Sequence, residues 1–101
     1  MYMIDLDSIV GFEWDIGNID KSKQKHGINV NECEEIFLDE KLETFNDIEH
    51  SQKEIRYIAI GKTKSNTILY AVFTIRSYRI RVISARIANK KEKNIYEKHK
   101  T

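Results

Sequence analysis

All five arginines of this 101-residue chain, at 56, 76, 79, 81 and 86, fall in its second half, in or beside segments that read as β-strands. A guanidinium is a flat fork of donors that matches the oxygens of a phosphate. The segment His50-Ser51-Gln52-Lys53-Glu54 precedes the first of those strands. A histidine and a glutamate beside an arginine cluster are the ingredients of metal-free RNA cleavage. One group takes the 2′-OH proton and another protonates the leaving 5′ oxygen, while arginines stabilise charge on the phosphorane. Histidine titrates near neutral pH and can fill either role. The plain alternatives are a solvated sheet face with local ion pairs to Glu54 or Glu92, and an ordinary exposed loop histidine.

Other residues carry two readings each. In the last strand Arg79 and Arg81 share one face, and Ile80 and Val82 share the other. Arg86 falls on the Ile80/Val82 side unless a bulge shifts the register. Neighbouring strands could then gather Arg56, Arg81 and Arg86 near one sheet edge. Lys25-His26-Gly27 is explained by a helix end: cations in the last turn, then a left-handed glycine cap. Trp14 could stack on a base, though a lone tryptophan near a strand is more often core. The single cysteine, Cys33, lies on an apolar helical stripe and is a poor nucleophile candidate. His26, His50 and His99 are too scattered for a metal site, and no phosphate-cradling glycine motif is present, so we expect no cofactor.

The elements that must position these groups are readable from periodicity. Residues 12–15 alternate apolar and acidic like a short strand. A helix is expected over 16–26. A second opens at the capping box Asn29-Val30-Asn31-Glu32 and carries Val30, Cys33, Ile36 and Phe37 at helical spacing. Residues 41–47 are a plausible strand. Strands over 55–62, 67–76 and 79–87 follow, separated by turns so short that they must be antiparallel neighbours. A second capping box, Asn89-Lys90-Lys91-Glu92, starts a basic helix reaching about residue 98. The expected fold is α+β, a small antiparallel sheet with helices packed on it, in the order β-α-α-β-β-β-α.

Charge is strongly segregated. Residues 1–49 carry a net −9 and residues 50–101 a net +10, which the whole-chain +1 conceals. Such asymmetry suggests a nucleic-acid partner. One domain over 1–101 is expected from the length. No apolar run approaches the roughly 20 residues of a membrane span, and the acidic N-terminus is unlike a signal peptide. One cysteine fits a reducing compartment, so a cytoplasmic location is expected.

Read in order, F-E-W-D at 12–15, K-H-G-I at 25–28, E-E-I-F-L-D at 34–39, H-S-x-x-E-x-R at 50–56, I-G at 60–61, R-I-R-V-I-S-A-R at 79–86 and E-x-x-x-Y-E at 92–97 form a specific series. The series closely resembles the BrnT family of type II toxin–antitoxin toxins over residues 12–97. The resemblance implies a RelE-like, metal-independent endoribonuclease that cuts RNA and inhibits translation. It also implies a BrnA-like ribbon-helix-helix antitoxin, typically in a two-plus-two complex that represses its own operator DNA. The matched positions are Trp14, Lys25, His26, His50, Glu54, Arg56, Arg81, Ser84 and Arg86. Arg56, Arg81 and Arg86 are expected on the scissile phosphate, with His50 and Glu54 as base and acid or orienting partner. Trp14, Lys25, His26, Arg79 and Ser84 are expected to bind RNA. Two departures stand out: residues 1–11 extend beyond the usual family start, and the 62–67 turn lacks the glycine often found there. The alternative is a catalytically inactive module that acts only as antitoxin partner and co-repressor.

Overall fold

The computed structural model describes residues 8–14, 27–47 and 54–98. Their elements are β1 (Gly11–Glu13), α1 (Val30–Glu35), a 3-10 turn (Ile36–Leu38), β2 (Glu43–Asn46), β3 (Tyr57–Lys62), β4 (Ile68–Arg76), β5 (Arg79–Ile87) and α2 (Lys90–Lys98). The helix expected over 16–26 lies outside the described residues. Both capping boxes form. Asn29 Oδ1 accepts from the Glu32 amide and Glu32 Oε1 from the Asn29 amide; Asn89 and Glu92 repeat the exchange at 2.9 Å each way. Each box satisfies two amides that a helix start leaves without partners.

The five strands form one sheet in the order β1-β5-β4-β3-β2. Two expectations are corrected here. The sheet is mixed, not antiparallel, because β1 pairs with β5 in parallel from Gly11↔Arg79 to Glu13↔Arg81. The order β-α-α-β-β-β-α also omits a strand. Residues 43–46 are a full sheet member, antiparallel to β3 through Glu43↔Ile60 to Asn46↔Tyr57. Both short end strands are readable, at 12–15 and 41–47, but the order counts only four of the five strands.

One face of the sheet holds the larger core. Tyr57, Ala59, Leu69, Ala71, Phe73, Ile80, Val82 and Ala85 pack there against Ile28, Cys33 and Ile36, with Phe12, Trp14 and Phe37 partly buried beside them. Phe37 meets Phe12 and Phe73 edge-on at ring separations of 5.6 and 5.1 Å, the aromatic geometry that avoids face-to-face repulsion. Burial pushes the Cys33 thiol up to about 12, aided by the neighbouring charges of Glu32 and Glu34, so it is not a thiolate nucleophile near neutral pH.

The opposite face carries α2 at one end, where Ile60, Ile68, Ala88 and Tyr96 are buried with Ile58, Tyr70 and Ile95 around them. The Tyr96 hydroxyl donates to Asp39 Oδ2 at 2.6 Å, and Asp39 also accepts from the Lys41 and Lys62 amides, tying the helix to the loop before β2. Asn66, at φ +68°, supplies the left-handed turn residue between β3 and β4 that the missing glycine would otherwise provide.

Candidate active site

A bulge decides which side of the sheet the arginines occupy. β5 pairs with β4 from Arg79↔Arg76 to Val82↔Phe73, then resumes at Ser84↔Val72, leaving Ile83 as the extra residue. The core positions change parity accordingly, from Ile80 and Val82 to Ala85. Ser84 and Arg86 therefore join Arg79 and Arg81 on the face opposite the core. Arg76 and Arg79 pair across the hairpin. Arg56 precedes core-facing Tyr57, so alternation sends it to that same face. All five arginines thus share one side of the sheet.

The register sorts them into rows. Thr74 pairs with Arg81, and Arg81 with Glu13. Extending the β3–β4 register by one residue sets Arg56 beside Thr74, and the Asp47 amide donates to the Arg56 carbonyl at 2.8 Å on its other side. Thr74 is buried, and its hydroxyl donates to the Ile55 carbonyl at 2.8 Å, which fixes the approach of the 54–56 segment. Arg56, Thr74 and Arg81 therefore form one transverse row. Arg76 and Arg79 form the next, about 7 Å along the strands.

Arg86 is not brought into this group. Its β4 partner is Tyr70, four residues from Thr74, or about 13 Å along the strand. Its guanidinium makes two 2.8 Å bonds to Glu92 and lies 4.2 Å from the Tyr70 ring centre. That is a fork-on-carboxylate pair capped by a cation–π contact, and it holds the start of α2 against the sheet. Of Arg56, Arg81 and Arg86, only the first two stand in one row, and that row crosses the interior strands and not a sheet edge.

Burial would raise the Glu92 carboxyl, but the Arg86 hydrogen bonds, the Asn89 amide and the Arg86 charge outweigh it and hold it below 4.5. A depressed folded value gives stability that is present above the unfolded pKa and lost as pH falls through the folded one. Glu92→Gln keeps a capping side chain and removes the charge. It should cost about 1–2 kcal/mol near pH 7. The gap from the parent should close as pH falls below about 4, as read by urea unfolding at both pH values.

The remaining candidates divide clearly. Glu54 Oε2 accepts from Arg76 Nε and Nη2 at 3.3 and 3.1 Å. Arg81 Nε lies 3.9 Å from Glu13 Oε1, a loose pair between partly exposed side chains. Ser84 and Arg79 are exposed on the arginine face. Trp14 packs on the core side, its indole N–H donating to Glu34 at 2.7 Å, which is the structural one of its two readings. Lys25, His26 and His50 lie outside the described residues. Sequence reasoning missed Arg76 and Thr74 as members of the site. The signal for Arg76 was its place opposite Arg79 across a two-residue turn; a buried threonine leaves none.

Among the described residues no group of three or more histidines, cysteines or carboxylates could hold a metal ion, and no helix is long and apolar enough to cross a membrane. A separate cleft of about 270 Å³ between α2 and the sheet is lined mainly by Phe45, Ile58, Ile60, Tyr70 and Ile95. Its apolar walls do not suit a phosphate.

The family model described as "Ribonuclease toxin, BrnT, of type II toxin-antitoxin system" matches residues 14–92. The chain belongs to the BrnT family. Its members are ribonuclease toxins, so membership implies an RNA substrate and an antitoxin partner. The matched span contains every candidate residue discussed above, while β1 and most of α2 fall outside it. Among solved structures, the fold is similar to the 1.1 Å crystal structure of the Brucella abortus ribonuclease toxin BrnT. The TM-score is 0.60 at 23% identity, covering 79% of this chain and 97% of that one. No curated protein matches the sequence.

Proposed function

We propose that the arginine face is the surface on which this BrnT-family chain cleaves RNA. The observation that carries the reading is the row formed by Arg56, Thr74 and Arg81, with a second arginine pair one row away. In this reading Arg56 and Arg81 contact the scissile phosphate and stabilise the phosphorane. Glu54 and His50 supply the proton transfers. Arg79 and Ser84 bind the flanking strand, with Lys25 and His26 as further RNA contacts. Arg86 acts on α2 and not on the phosphate, and Trp14 supports the edge of the sheet. The chemistry is metal-independent and RelE-like. Its outcome in a cell is inhibited translation in the cytoplasm, relieved by a BrnA-like ribbon-helix-helix antitoxin in a two-plus-two complex that reaches operator DNA through the antitoxin.

A non-catalytic reading has one observation in its favour: Arg76, Arg81 and Arg86 each lie near a carboxylate, as in a solvated, ion-paired face. The two separate in one assay. The purified chain should cut single-stranded RNA in excess EDTA if the first holds, and should bind its antitoxin without cutting if the second does. Salt gives an independent check, because each neutralised phosphate releases counterions. With about three phosphate contacts, RNA affinity should fall about 20-fold between 50 and 200 mM salt. An affinity unchanged over that range would count against the basic face.

A further inference from the structure

The tip of the β4–β5 hairpin has an unusual composition for its geometry. Ser77 and Tyr78 have φ of +49° and +63°, the two-residue turn with both residues left-handed. Glycine and asparagine are the residues suited to it, because an ordinary side chain is strained there. Tyr78 is nonetheless 66% exposed, so packing offsets little of that strain. The Val10 amide donates to the Tyr78 carbonyl at 2.8 Å, pinning the tip to the segment that leads into β1. On either side stand Arg76 and Arg79, directly opposite one another, and Glu54 offsets part of that like-charge repulsion by accepting two bonds from Arg76. Strain kept at an exposed, pinned position beside two arginines indicates a ligand.

An exposed tyrosine at a turn flanked by two arginines matches one nucleotide: a base for the ring and a phosphate for the arginines. The pair lies one row beyond Arg56 and Arg81, which limits the ligand to a nucleotide next to the cut. We infer that Tyr78 is a stacking platform for a base adjacent to the scissile phosphate of single-stranded RNA, with Arg76 and Arg79 holding that nucleotide's own phosphate. The platform rests on the ribonuclease reading above and adds a subsite to it. It sets where RNA is cut, not how fast the bond breaks, so its loss appears in KM and site choice.

The test compares the full-length chain with Tyr78→Gly, Tyr78→Phe and Tyr78→Trp. Binding is measured with a 2′-O-methyl oligonucleotide, which cannot be cleaved, and cleavage with the matching RNA. Glycine relieves the turn, so Tyr78→Gly should melt about 4 °C higher. It should nevertheless bind the oligonucleotide about 5- to 100-fold more weakly and lose preference among cut sites, while the aromatic replacements stay within about 3-fold of the parent. A more stable Tyr78→Gly with parental affinity and cut sites would overturn the platform and leave the ribonuclease reading standing. Weakened antitoxin binding with RNA affinity unchanged would also overturn it. If the parent chain cleaves nothing, the ribonuclease reading fails, and the oligonucleotide arm still decides for or against Tyr78.

Discussion

Arg81→Ala should lower the rate of RNA cleavage by about 10²- to 10³-fold while leaving the fold intact. The magnitude is that of removing one preorganised donor aimed at charge that develops in the transition state. The Arg81 side chain is partly exposed, and its 3.9 Å pair with Glu13 is of a kind that contributes about 0–1 kcal/mol. Its backbone pairing with Thr74 and Glu13 does not depend on the side chain. Arg81→Lys keeps the charge and loses the fork, so it should recover only part of the rate. Arg86→Ala gives the opposite pattern. It strips Glu92 of a bidentate partner beside a largely buried carboxylate, so stability should drop by about 1–3 kcal/mol. The rate per folded molecule should stay near the parent's. Rates from single-turnover cleavage and stabilities from urea unfolding separate the two classes; an equal rate loss in Arg81→Ala and Arg86→Ala would contradict the division.

Gly61→Ala should be the most damaging single methyl addition in the sheet. Gly61 is the penultimate residue of β3, where the 3-10 turn packs against the strand. A Cβ built on it would stand 2.9 Å from Ile36 Cβ, 2.9 Å from the Ile36 carbonyl oxygen and 2.9 Å from Leu42 Cδ1. A leucine end could swing aside; a fully buried isoleucine and a backbone carbonyl cannot move without shifting the turn. Overpacking of this kind costs about 1–3 kcal/mol, and contact with backbone puts Gly61→Ala at the upper end. The midpoint of thermal unfolding should fall by about 10 °C or more. A midpoint within about 2 °C of the parent would show that the turn does not press on β3 this closely.

Gly61 also illustrates what the sequence could convey. The I-G pair at 60–61 was visible as a motif, but the need for glycine came from the crossing turn, a contact between residues 25 positions apart. Both capping boxes were legible because an asparagine and a glutamate three residues apart act locally. The β3–β4–β5 meander was legible because its turns are too short for any other pairing. β1 was misjudged because the choice between parallel and antiparallel edges is made by β5, some 70 residues later. The bulge at Ile83 lies between these cases. The run R-I-R-V-I-S-A-R contains its only trace, an alternation that breaks at Val82-Ile83. That one extra residue moves Arg86 onto the arginine face and leaves it beside Glu92. Membership of the candidate site therefore depended on register, which composition and charge do not encode.

The most direct test of the arginine face is an NMR titration of the ¹⁵N-labelled chain with a non-cleavable 2′-O-methyl oligonucleotide. Amide perturbations should concentrate at 54–56, 72–76 and 78–81, with little change at Phe45, Lys91 and Ile95 around the apolar cleft. Perturbations centred on that cleft and α2, with the 72–81 hairpin silent, would contradict it.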